Sequence, residues 1–240
     1  MKLLSRGSAN VKLAKSESKE LSIFNLSLRP ADLSGYEVCP WRGKCAKMCV
    51  LEEAGRGMMK KVRRARTKKT VMVFEDRHEF KRLLLHELTN ANKLIKRKGI
   101  QCGIRLNTGS DLPWEYMIPE ILSEFPHLWF YDYTKSMKRA LDQHKNYELT
   151  YSYNEESNWD ECENLLEWGH NIAVVFDTRS SPFPKVWRGY QTVSGDDNDV
   201  RLKRFDGYGK IIALRAKGSN AKVDEGIQDK FVQLTGVTTT

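Results

Sequence analysis

His127-Leu-Trp-Phe-Tyr-Asp-Tyr-Thr-Lys-Ser136 is an apolar run that ends in small polar residues. A short stretch from Met137 to Lys145 follows, then a second apolar run, Tyr147-Glu-Leu-Thr-Tyr-Ser-Tyr153, ending at Asn154. Length and residue type predict strand, short helix, strand. The same unit recurs on both sides. Gly103-Ile-Arg-Leu-Asn107 precedes it as a strand, with a helix expected over Pro113 to Phe125. A helix from Trp159 to Gly169 and the apolar strand Asn171-Ile-Ala-Val-Val-Phe-Asp177 come after. Leu21 to Leu28 opens the series and Lys210-Ile-Ile-Ala-Leu-Arg215 closes it. Strands alternating with helices predict βα units and a parallel sheet. About six such strands fall short of the eight that close a barrel. The expected fold is therefore α/β, a partial (β/α)6 barrel-like parallel sheet in a single domain, with a doubly wound sheet as the competing geometry. Residues 1–20 are polar and lysine-rich and are expected to form a flexible basic arm, with one domain over 21–240.

Between the first strand and the first long helices lies Cys39-Pro-Trp-Arg-Gly-Lys-Cys45-Ala-Lys-Met-Cys49. Three of the five cysteines fall here, spaced C-x5-C-x3-C. No secretory segment opens the sequence and no apolar run approaches a membrane span, so a reducing cytoplasm is expected. In that compartment clustered cysteines read as metal ligands before disulfides. Structural zinc takes four ligands, and iron–sulfur clusters are usually held by four cysteines. Cys39, Cys45 and Cys49 thus predict a [4Fe-4S] cluster with one open iron, with a zinc ion and a distant fourth ligand as the alternative and buried unliganded thiols as the remaining reading. Cys102 and Cys162 sit in apolar surroundings and read as core thiols. The five histidines show no metal-ligand spacing.

Parallel α/β folds place reactive groups at the C-terminal ends of their strands. The cysteines follow the first strand. Asn107, Gly109, Ser110 and Asp111 follow the second, Thr134 and Lys135 the third, Asn154 and Glu155 the fourth, and Asp177 and Arg179 the fifth. Each of these is also an ordinary turn residue. Five consecutive strand ends aimed at one rim make a candidate site, with Asp111 and Lys135 as the candidate catalytic pair.

A cysteine triad after the first strand of a partial barrel resembles the radical S-adenosylmethionine superfamily. There three cysteines hold a [4Fe-4S] cluster whose open iron binds the amino and carboxylate groups of S-adenosylmethionine. The spacing here departs from that superfamily's C-x3-C-x2-C, and Gly109-Ser110-Asp111 stands where a Gly-Gly-Glu-like turn is usual. The resemblance implies that Asp111 or Asn107 holds the amino group of S-adenosylmethionine beside the Gly109-Ser110-Asp111 turn, with Lys135, Asn154 or Arg179 contacting its carboxylate or a substrate. A closer resemblance is to the phage gene product 88 family, carried by Cys39-Pro40, by Arg105 through Asp111 and by Phe130-Tyr-Asp-Tyr-Thr-Lys-Ser136. It implies a phage origin, hence the host cytoplasm, and names no activity.

The formal net charge is +9. That excess permits a polyanionic partner. Lys60-Lys-Val-Arg-Arg-Ala-Arg-Thr-Lys-Lys69 is the densest basic run, and either a nucleic acid or a host protein is the partner expected there. The alternative is a solvated helix face. A non-catalytic iron–sulfur or zinc protein bound to its partner through this helix stands beside the enzyme reading. A zinc-dependent nuclease using Asp111, Asp177 and the Asp196-Asp197-Asp199 loop is a third possibility.

Overall fold

The computed structural model describes residues 1–9, 11–53, 55–142, 144–178 and 181–235. Six strands run parallel and pair in chain order: β2 (Leu21–Leu26), β3 (Gln101–Arg105), β4 (Trp129–Thr134), β5 (Tyr147–Ser152), β6 (Ile172–Phe176) and β9 (Ile211–Arg215). They coincide with the six expected strands to within a few residues at each end. Four further strands extend the sheet to ten. β1 (Leu4–Arg6) lies antiparallel on β2, and β8 (Tyr190–Ser194) lies parallel on β9. β7 (Val186–Trp187) pairs antiparallel with β8, and β10 (Val232–Gln233) pairs with the far end of β6. The order is β1-β2-β3-β4-β5-β6-β9-β8-β7, so β1 and β7 are the outer strands and the sheet is open. The six central parallel strands follow chain order without the reversal that defines the doubly wound alternative.

The helices are α1 (Val11–Ala14), α2 (Val50–Glu53), α3 (Lys60–Glu75), α4 (Arg77–Lys98), α5 (Trp114–Met117), α6 (Glu120–Ser123), α7 (Met137–Leu141), α8 (Trp159–Glu167), α9 (Lys203–Asp206) and α10 (Asn220–Gln228). α4 begins where the Asp76 carboxylate accepts from Glu79 N, and ends at Gly99, whose φ of 64° is the left-handed stop that glycine supplies. Its Phe80, Leu84, Leu88, Ala91 and Ile95 recur at helical spacing and pack on Phe24, Leu26, Ile104 and Phe130 of the sheet. Truncating Leu84 or Leu88 to Ala would cost about 2–5 kcal/mol. Ile23 and Tyr131 face the other side of the sheet, against Leu13, Val200 and Leu202.

Two expectations are corrected. The single helix over 113–125 is two short turns, because Pro119 holds Ile118 extended (φ −144°) and breaks the run. The flexible arm over 1–20 is docked. Leu3, Leu4 and Leu13 are buried, β1 pairs with β2, and the two oxygens of the Glu87 carboxylate accept from Leu3 N and Leu4 N at 2.7 Å each. Burial of two adjacent leucines, with the strand pairing and the Glu87 bonds, offsets the ordering of the three-residue strand.

Candidate functional site

The cysteine segment lies at the C-terminal ends of β2 to β5. Cys39 Sγ donates to Gly109 O at 3.8 Å, and Asp111 N donates to Val38 O at 2.7 Å, so the first cysteine and the Gly109–Asp111 turn are stitched together. Cys45 packs on the apolar cluster of α10 and β10. Cys49 leads into α2. The three thiols are half-buried and unpaired by disulfides. They lie within electrostatic reach of one another. Burial pushes the Cys39 thiol up to about 12 and raises those of Cys45 and Cys49. Lys135 opposes the rise at Cys45, where the carboxylates of Glu155 and Asp111 add to it. Cys102 and Cys162 are fully buried in two different apolar clusters.

Three supports hold this segment. Near Cys39, Trp41 lies over the Arg139 guanidinium at 5.7 Å. Arg139 is buried, bonding Asp111 Oδ1 at 2.5 Å and both oxygens of Glu115 at 2.5 and 2.9 Å. Around Cys45, Lys44 N donates to Glu155 Oε1 at 2.5 Å, while Lys47 Nζ pairs with Glu225 and Asp229 of the α10 end. Past Cys49, the Glu52 carboxylate meets Arg29 at 3.0 Å and Arg63 at 3.2 Å. Arg66 Nη1 donates to Leu51 O at 2.9 Å.

The rim residues divide by what they are bonded to. Asn107 Oδ1 accepts from Ser110 Oγ, Leu112 N and Trp114 Nε1, and its Nδ2 donates to Leu112 O. It builds the turn in which Gly109 and Ser110 sit. A Cβ on Gly109 would lie 2.7 Å from Leu51 Cδ1 and 3.0 Å from Leu28 O, so glycine is what lets this turn approach the cysteine segment. Asp111 Oδ2 accepts from Lys135 N and Thr134 Oγ1 in addition to the Arg139 bond on Oδ1. Burial raises its pKa, and Arg139 opposes the rise. Lys135 Nζ donates to Ser152 Oγ at 3.1 Å and lies over the Phe231 ring. Asn154 closes its own turn through Glu156 N and Ser152 O. Arg179 lies outside the described residues. Three of the acidic residues of the nuclease reading are engaged elsewhere. Asp196 pairs with Arg215 and Lys217, Asp199 with Arg105, and Asp177 accepts from Thr235 N. Among the described residues no three His, Cys, Asp or Glu side chains form a ready metal-holding group.

The profile of the Gene product 88 family matches residues 2–230. The chain belongs to the Gene product 88 family. That agrees with the closer of the two resemblances; the matches give no support to the radical S-adenosylmethionine superfamily. No curated protein and no solved structure matches. In this family member the basic run splits. Arg63 and Arg66 turn in to hold Glu52 and the backbone around it, and Lys69 Nζ donates to Leu3 O. Lys60, Lys61, Arg64 and Lys68 remain exposed, spaced along one stripe of α3. Among the described residues no helix is long and apolar enough to cross a membrane.

Glu52, Glu115 and Arg139 carry no signal in the sequence. All three sit in helical stretches where a charge reads as solvated, and their partners come from distant segments. The Phe-Tyr-Asp-Tyr-Thr-Lys-Ser run did signal the strand end that carries Thr134 and Lys135.

Proposed function

We propose that this chain is an iron–sulfur protein in which Cys39, Cys45 and Cys49 hold a [4Fe-4S] cluster at the rim of a partial (β/α)6 barrel. The observation that carries the reading is the shared location of the three thiols: one segment, one sheet edge, mutual electrostatic reach. The donor set fits the group. Three soft thiolates and no imidazole suit iron–sulfur chemistry, and metal binding would overcome the cost that burial imposes on the thiolates. A bound cluster would supply electron transfer or redox sensing. The chain's own residues supply the rest. Lys135 sets positive charge beside Cys45, Gly109 O meets Cys39, and the Arg139 and Glu52 networks fix the two ends of the segment. In-order parallel strands are what a barrel-like winding needs, which supports the partial-barrel reading.

Use of S-adenosylmethionine is the less supported extension. Asp111 and Asn107, the residues that would take its amino group, already have their acceptors filled within the fold. The non-catalytic form of the reading follows, with the exposed α3 stripe as the surface for an anionic partner. The test is anaerobic purification with iron, sulfide and zinc analysis of the wild type and of Cys39→Ala, Cys45→Ala and Cys49→Ala. Brown protein that loses its absorbance in each of the three variants, and keeps it in Cys162→Ala, is expected. Colourless protein carrying zinc, or normal iron content in all three variants, overturns the reading. Unchanged electron paramagnetic resonance of the reduced protein on adding S-adenosylmethionine is expected; a changed spectrum with release of 5′-deoxyadenosine would restore the enzyme.

A further inference from the structure

β5 and β6 are neighbours for only part of their length. Tyr151 pairs with Ile172 and Ser152 with Ala173, and there the ladder ends. Farther along, Val175 and Phe176 of β6 pair with Val232 and Gln233 of β10 instead. The C-terminal ends of β5 and β6 therefore part, and a cavity of about 410 Å³ opens beyond them. Parallel sheets bind ligands in such crevices, outside the carboxyl ends of diverging strands.

The lining is specific. Tyr153 and Trp187 give aromatic walls, their ring centroids 5.5 Å apart and nearly perpendicular. Arg188 and Lys230 bring two cations, against one carboxylate from Glu155. The Arg188 guanidinium is held over the rings of Trp159 and Trp187, and its buried Nε has no hydrogen-bond partner. Glu155 uses Oε1 on Lys44 N, while its buried Oε2 has none. Both cations also occupy backbone positions that suit other residues. Arg188 (φ 49°) and Gly189 (φ 84°) are the two turn residues of the β7–β8 hairpin, a pattern of positive φ that favours Asn or Gly first. Lys230 (φ 60°) follows the end of α10, a place usually given to Gly. Only one other non-glycine residue among the described ones, Ala31, has positive φ. Strained positions gather where function holds them. Here both are filled by long cations at one cavity.

We propose that this crevice binds an anion of the nucleoside monophosphate class, a flat base carrying a phosphate. The excess of cation over carboxylate selects an anion, Arg188 offers donors to phosphate oxygens, and aromatic walls accept a flat ring. The unspent Glu155 oxygen accepts an N–H from the ring edge. The site adjoins the cysteine segment through Lys44, but the proposal does not depend on what the cysteines hold.

The test is calorimetric titration of the full chain with AMP, GMP, CMP and UMP, with inorganic phosphate and the free nucleosides as controls. At least one nucleotide is expected to bind about tenfold or more tightly than phosphate or its nucleoside. Arg188→Gly and Lys230→Gly should each weaken that binding by about tenfold. Glycine is at ease at φ 49° and 60°. The thermal midpoint should therefore hold or rise in both variants, which separates loss of ligand from loss of fold. Binding should persist in Cys39→Ala, so failure of the iron–sulfur reading leaves this one intact. No binding of any of the four nucleotides at millimolar concentration, phosphate binding as tightly as every nucleotide, or unchanged affinity in both glycine variants would overturn it.

Discussion

Replacing Arg139 with Met removes a guanidinium that is only 2% exposed and sits between two carboxylates. Glu115 loses a bidentate partner at 2.5 and 2.9 Å, and Asp111 loses its contact at 2.5 Å. Met fills much of the volume, so the cavity term is small. What remains is electrostatic: the Glu115 side chain is fully buried and that of Asp111 12% exposed. Removing one partner of a buried pair costs about 3–5 kcal/mol, because the charge left behind cannot return to water. For a chain of this size each kcal/mol lowers the melting temperature by roughly 2–4 °C, giving a fall of about 6–20 °C. Asp111 has one escape, which is to take up a proton. Burial raises its pKa and Arg139 opposes that rise, so without Arg139 the rise is larger, and the penalty is full at high pH and shrinks as pH falls through the raised value. Urea unfolding at pH 8 and pH 5 measures both parts. A loss below about 1 kcal/mol at pH 8 is what a solvent-screened pair would give and would refute the reasoning. So would a loss that does not diminish at pH 5. Adding Glu115→Gln and Asp111→Asn should recover part of the stability, since uncharged partners no longer need the guanidinium.

Gly109→Ala should destabilise by about 1–3 kcal/mol through overpacking against Leu51 and the Leu28 carbonyl, read by urea unfolding. It should also lower iron incorporation; a silent substitution would mean the turn can retreat from the cysteine segment. His170 is 4% exposed, and burial, aided by Lys203, lowers its pKa to about 4. The unfolded state then binds more protons between pH 4 and 6.5, so this residue's stabilising contribution, up to ~3 kcal/mol, is present above pH 6.5 and is lost as pH falls to 4. Proton NMR should show one imidazole that stays neutral down to about pH 5. A fourth pair of measurements divides the basic run. Lys60→Glu with Arg64→Glu and Lys68→Glu should leave stability within about 0.5 kcal/mol and abolish salt-dependent binding of a single-stranded oligonucleotide. Arg66→Ala should instead cost more than about 1 kcal/mol, because the Leu51 carbonyl loses its donor.

The six central strands were legible because each is an apolar run bounded by turn residues, and five to six residues suffice to show it. β7 and β10, at two residues each, are too short to carry any period. β1 was hidden differently: Leu3 and Leu4 lie among polar residues, and only the distant Glu87 carboxylate and the edge of β2 give them a place. The rim was legible as a location, since parallel strands in chain order bring their C-terminal ends together. The roles of its residues were not. Asn107 and Asp111 look the same in sequence whether they await a ligand or close a turn. That choice was made by Trp114, Thr134 and Arg139, which no spacing rule connects to them. The basic run misled in the same way. Its helical period is plain, but the face that turns inward is chosen by Glu52, a carboxylate in a separate short helix.

The three supports of the cysteine segment differ in strength, and the difference bears on how a metal would be taken up. Arg139 and Glu52, at the two ends, are mostly shielded from solvent and hold their partners through several bonds each. The middle rests on Lys44 and Lys47, whose side chains are both 48% exposed. Exposed pairs of that kind contribute little and weaken further in salt. Cys39 and Cys49 are thus fixed to the firm ends, while Cys45 rides on the soft centre, backed by the apolar face of α10 and by one backbone bond to Glu155. Drawing three thiolates onto one centre requires at least one of them to move. The fold makes Cys45 the cheapest to move, and it is the cysteine that Lys135 already favours as a thiolate. If the three thiols do take a metal, two held ligands and one adjustable ligand beside a cation would let it bind without unfolding what surrounds it.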